Sequence, residues 1–118
     1  MQVQVKVNGL GSASRLRAFA ANKLNLALSR FSHAVLDVVM RMQDINGPDR
    51  GGADKLCRVV LRFKNNSVVV VEELGANVVE VIDRISDRLH HTVSKQLSHM
   101  AKVDRAGLRQ NSLAVAQV

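Results

Sequence analysis

The chain has 118 residues, a formal charge of +7 and 47% hydrophobic content, which fits one domain around one core. No apolar run approaches the ~20 residues that cross a bilayer, and a single cysteine excludes an internal disulfide. Met1 to Val5 carries no charged segment of a secretory signal, so the expected compartment is the cytoplasm.

Seventeen Lys and Arg stand against ten Asp and Glu. No acid precedes Asp37, whereas Lys6, Arg15, Arg17, Lys23 and Arg30 do. This excess suits a polyanion, with nucleic acid ahead of an anionic membrane. An ordinary basic surface has the same composition. Trp and Tyr are absent, and Phe19, Phe31 and Phe63 fall at or beside core positions. That scarcity favours contact with phosphates and RNA shape over stacking on bases.

Gln2 to Val7 alternates strictly, as a half-buried strand does. Asn8, Gly9, Gly11 and Ser12 make a turn, and Ser14 or Ser12 caps the helix that follows. That helix runs to about Phe31, with Leu16, Ala20, Leu24, Ala27, Leu28 and Phe31 on its apolar face. Phe19 and Leu26 lie off the stripe, as a helix edge tucked against a neighbour or as a partner contact. Ala34 to Met42 reads as a strand, and Gln43 to Ala53, with Asn46-Gly47-Pro48 and Gly51-Gly52, as a surface loop. Lys55 to Phe63 is a third strand, Lys64 to Ser67 a hairpin turn and Val68 to Glu72 a fourth strand.

Gly75 then breaks the chain, and Asn77 caps a long helix to about Lys102. Val78, Ile82, Ile85, Leu89, Val93, Leu97 and Met100 form its apolar stripe. Arg84, Arg88, His91, Lys95 and Lys102 recur on another face, within roughly 60° of arc at about 100° per residue. The order β-α-β-β-β-α predicts an α+β, two-layer sandwich: a four-stranded sheet with both helices on one face. The first connection predicts parallel strands, and the rest an antiparallel meander. The domain is expected over 1–103, with a flexible tail over 104–118.

Little points to catalysis. His33, His90, His91 and His99 show no metal-ligand spacing with Cys57 or one another. Cys57 sits at a core parity, as a buried inert thiol. The Gly47-Pro48 and Gly51-Gly52 stretches lack the Lys-Ser or Lys-Thr of a phosphate loop. Glu72 and Glu73 are positioned to pair with Arg58 or Arg62 across the open sheet face. No nucleophile–base–orienter set can be assembled, so no enzyme, metal or cofactor is expected. The basic stripe is the strongest signal, and a solvated helix face is its plain alternative. Arg15, Lys23 and Arg30 add a flank on the first helix. Side by side, the two outer faces would form one basic groove whose binding weakens steeply with salt.

Several segments resemble the ribosome hibernation-promoting factor and ribosome-associated inhibitor family, once described as sigma-54 modulation proteins. They are Leu16-Arg17-Ala18-Phe19 with Lys23-Leu24 and Arg30-Phe31, then Asp44 to Pro48 with Gly51 to Arg58, then Val81 to Arg84 with Asp87-Arg88-Leu89. The loop stretch is similar to one short-form branch and is the most specific of these.

The resemblance implies two parallel helices on one sheet face, similar to double-stranded-RNA-binding domains. It implies binding in the decoding region of the small ribosomal subunit, and a block of translation by occupancy under stress or starvation. Carried over by position, Lys23, Arg84, Arg88 and Lys95 would touch ribosomal RNA, within a wider set that adds Arg15, Arg30, His91 and Lys102. The chain departs from the family where Asn77 and Val79 stand for an acid and a tyrosine. It departs again where His90, His91, Ser94 and Ser98 thin the cations of the second helix. Imidazoles there imply tighter RNA binding below about pH 6.5. The expected partner is the small subunit and its RNA, with no membrane and no small-molecule substrate. Weak self-association through the sheet edge or Phe19 and Leu26 is a further expectation, and a protein–protein module of the same fold is the competing function.

Overall fold

In the computed structural model, residues 1–9, 13–45 and 54–110 are described, with side chains to Lys102. Ser12 as a cap, the breakers expected over 46–53 and the segment 111–118 lie outside the described residues. The elements are β1 (Gln2–Asn8), α1 (Ala13–Leu28), a single 3-10 turn (Ser29–Phe31), β2 (Val35–Asp44), β3 (Lys55–Phe63), β4 (Val68–Gly75) and α2 (Val78–Gln110).

Alternating side chains make the sheet two-faced. Val38, Met40, Met42, Cys57, Val59, Leu61, Phe63, Val69 and Val71 are buried, and Val3, Val5 and Val7 pack against them. Strand order is β1-β2-β3-β4. β1 is parallel to β2, across the α1 crossover, and the other two pairings are antiparallel. This is the α+β architecture expected from the element order. α1 covers β1 while α2 covers β4 and β3. Ala20, Leu24 and Leu28 of α1 meet Val81, Ile82, Ile85, Leu89 and Val93 of α2 in one core. Lys23 reaches Asp83, and the Ala27 carbonyl reaches His90. The partner numbers rise together, so the helices run parallel.

Local chemistry sets the ends of these elements. Asn77 Oδ1 accepts from the amides of Val79 and Glu80 at 2.9 and 3.2 Å, two donors that a helix start leaves unpaired. In the β3–β4 turn Asn66 takes a φ of 73°, which asparagine tolerates better than most residues. Asn65 Oδ1 accepts from the Ser67 amide at 3.0 Å.

Two strands outrun their sequence-based ends. β2 reaches Asp44, which pairs with Lys55, and β4 reaches Gly75, which also pairs with Lys55. A carboxylate pair at Glu72-Glu73 reads as a strand end, yet the ladder continues through it. α2 spans 33 residues and continues to Gln110, past Asp104 where its apolar period fades.

Candidate nucleic-acid interface

Helical spacing puts Arg84, Arg88, His91, Lys95 and Lys102 on one line of α2, and all five are exposed. The line lies on the flank over the edge strand β4, away from α1. Arg84 donates to the Leu74 carbonyl at 3.4 Å. Arg88 donates to the Glu72 carbonyl at 3.0 Å and to Glu73 Oε1 at 3.1 Å. These bonds tether the first two guanidinium groups to the end of β4. Among the described residues, neither Lys95 nor Lys102 makes an ion pair. His91 stands edge-on to His90, with ring centroids 5.8 Å apart.

The flank of α2 that faces α1 is different. Lys23, Leu26, Ala27, Asp83, Ser86 and Asp87 line the groove between the helices. Lys23 Nζ lies 2.9 Å from Asp83 Oδ1 and 5.7 Å from the Phe19 ring centre. The shielded Asp83 oxygen meets the ammonium as an ion pair without an aligned hydrogen bond, and buried Ser86 Oγ has no hydrogen-bond partner among the described residues. Two carboxylates thus face one cation. The single basic groove expected from the two helices does not form, because Asp83 and Asp87 fall on the inner side of α2. Arg15 and Arg30 are exposed near the two ends of the α1 segment, without ion pairs among the described residues.

The structure therefore separates the eight residues. Arg84, Arg88, His91, Lys95 and Lys102 form one surface. Lys23 pairs with Asp83, and Arg15 and Arg30 are exposed on the first helical segment. Phe19 is half-buried against the core, whereas Leu26 is 67% exposed at the groove. The expected pairing of Glu72 and Glu73 with Arg58 or Arg62 is replaced. Strand alternation turns Glu73 to the helix side, where Arg88 holds it. Arg62 bonds Asp37 instead.

Cys57 is buried and its thiol is pushed up to about 12, chiefly by desolvation. Such a thiol is a poor nucleophile at neutral pH. Among the described residues, no three His, Cys, Asp or Glu side chains come together to hold a metal ion. No described helix is long and apolar enough to cross a membrane.

No family model matches the sequence, and no curated protein matches it. Solved structures do match the fold. The N-terminal domain of Protein Y from Thermus thermophilus aligns with a TM-score of 0.65 at 20% identity, covering 80% of this chain and 98% of that one. A ribosomal subunit interface protein from Coxiella burnetii aligns with a TM-score of 0.63 at 14% identity, covering 83% of this chain and 99% of that one. The likeness read from scattered motifs returns here as a shared fold. Neither neighbour bears on the comparison with double-stranded-RNA-binding domains.

Proposed function

We propose that this protein is a non-enzymatic cytoplasmic factor that docks on the small ribosomal subunit through ribosomal RNA in the decoding region and holds ribosomes inactive by occupancy. The observation that carries this reading is the exposed cationic line Arg84–Arg88–His91–Lys95–Lys102, in a fold shared with a ribosomal subunit interface protein. A helix surface of this kind contacts phosphates and groove shape without reading bases. The scarcity of aromatic side chains supports the same mode. Lys95 and Lys102 are the principal contacts, since no carboxylate among the described residues competes for them. Arg84 and Arg88 offer phosphates the donors they do not spend on β4. Arg15 and Arg30 supply outlying contacts.

Co-sedimentation with purified small subunits at low and moderate salt tests the proposal. The parent chain is expected in the ribosomal pellet at low salt. Lys95→Glu with Lys102→Glu is expected to weaken binding at least about tenfold, by loss and reversal of two phosphate contacts. Neither side chain is buried, so the double variant should keep its thermal midpoint. A parent chain that stays in the supernatant at low salt would refute ribosome docking. A double variant that pellets as well as the parent would refute the site.

A further inference from the structure

On the sheet face opposite the helices, strand register lines the side chains up in bands. Lys6, Arg41 and Arg58 are successive cross-strand partners on β1, β2 and β3, and all three are exposed. Strands lie about 4.8 Å apart, so three cations stand within about 10 Å. Glu72 follows Arg58 in register on β4. Yet no ion pair of Lys6, Arg41 or Arg58 occurs among the described residues. Like charges set directly opposite one another destabilise a sheet. Folding alone gives no reason for this band.

Two aliphatic bands flank it, each about 7 Å away along the strands. Val39, Val60 and Val70 are in register on one side, and Leu56 and Leu74 on the other. Val70 and Leu74 are 48% and 44% exposed. Val39, Arg41, Arg58 and Val60 wall a shallow hollow of about 400 Å³.

We propose that this face docks an acidic polypeptide segment whose carboxylates are flanked by aliphatic side chains. The carboxylates meet the Lys6–Arg41–Arg58 band, and the aliphatic groups cover the valine and leucine bands beside it. An RNA strand would satisfy the cations alone. To the aliphatic bands it offers only base faces and ribose, with no branched aliphatic side chains to fill them. The face also holds no aromatic ring for a base to stack on, because Phe31 and Phe63 are buried in the core and Phe19 belongs to α1. The α2 line lies on the other side of the sheet, so this docking is independent of ribosome binding.

The test titrates the full chain into a labelled peptide of leucines and glutamates that alternate, separated by serines, near physiological salt. Saturable binding is expected. Replacing the leucines by serine should weaken it at least about tenfold, through loss of the apolar contact. Arg41→Gln with Arg58→Gln should weaken it by a similar factor and leave co-sedimentation with small subunits unchanged. Amide shifts of the unsubstituted chain provide a reading that does not depend on the variant's folding. The peptide should move amides of β2 and β3 and leave those of α2 in place. Equal binding of the serine peptide, parental affinity in the double variant, or shifts confined to the helices would each overturn the proposal. So would single-stranded RNA that binds this face more tightly than the peptide, which would make the band a phosphate site. Failure of the parent chain to meet ribosomes leaves the peptide result standing.

Discussion

Lys55 shows how one side chain acquires a role that only register reveals. Its ammonium lies 3.1 Å from Asp44 and 2.9 Å from Asp54, where β2 ends and β3 begins. Asp54 is 2% exposed, and a carboxylate so buried needs a cation. The hydrogen bonds to Asp54 and Asp44 raise the lysine above its ordinary value. The stabilisation is therefore complete below that value and lost as pH rises through the shifted one. The stretch from Asp44 to Lys55 is conspicuous in the sequence, but its task depends on which residues face each other across the ladder. Cys57 was legible because strand parity alone puts it inward. Burial holds its thiol at about 12, so iodoacetamide at pH 8 should leave the native chain unmodified and label it fully in denaturant. Rapid native labelling would show that the site opens. Asp37 is held below its ordinary 3.8, first by its hydrogen bond to Arg62 and then by that residue's charge. A depressed folded-state value stabilises above the unfolded one and fades as pH falls through the lower. Thermal midpoints of the parent should exceed those of Asp37→Asn at pH 6, by the small margin of a surface pair, and converge with them well below pH 3.8. A gap independent of pH would mean that packing, not charge, separates the two proteins.

The elements were the most legible level, because period and parity are local signals. Ile82, Ile85, Leu89 and Val93 lie on the predicted stripe of α2 and are wholly buried. Val81 is buried too, although it is off that stripe. The reason is Gly75, where a Cβ would come within 2.7 Å of a Val81 methyl. The missing side chain lets the start of α2 settle onto the end of β4. Which flank of α2 would face α1 was not legible. Arg84, Arg88 and Lys95 share a line in any helix, but the crossover geometry decides what stands beside them. Here it brings Asp83 and His90 to α1 and sends the cations toward β4. The cap was legible, since Asn77 directly precedes the apolar period. Asn77→Ala should cost about 1 kcal/mol in urea unfolding by removing the acceptor for two amides. Asn77→Asp should retain most of the stability, because a carboxylate accepts the same bonds at the positive end of the helix. An alanine variant as stable as the parent would mean that water satisfies those amides equally well.

At the scale of the whole molecule, the two faces divide the charge. The helix layer carries the exposed line of α2, and the open sheet face carries the Lys6–Arg41–Arg58 band. The net charge of +7 is therefore not one footprint, and composition could not show the division. It bears on how the proposed ribosome binding should respond to salt. Were all seven Lys and Arg among the eight positions of the sequence reading to meet phosphates, the slope of log affinity against log salt would be about −6. Lys23 and Arg88 each already face a carboxylate with which a phosphate must compete, so they count for less than a free cation. Arg15, Arg30, Arg84, Lys95 and Lys102 remain, and the expected slope is about −4 to −5. Arg41→Gln with Arg58→Gln should leave that slope unchanged, whereas Lys95→Glu with Lys102→Glu should flatten it by about two. Quantitative co-sedimentation across a salt series measures both. If the sheet variant flattened the slope as much as the helix variant, the RNA would be wrapping both layers, and α2 alone could no longer account for the affinity.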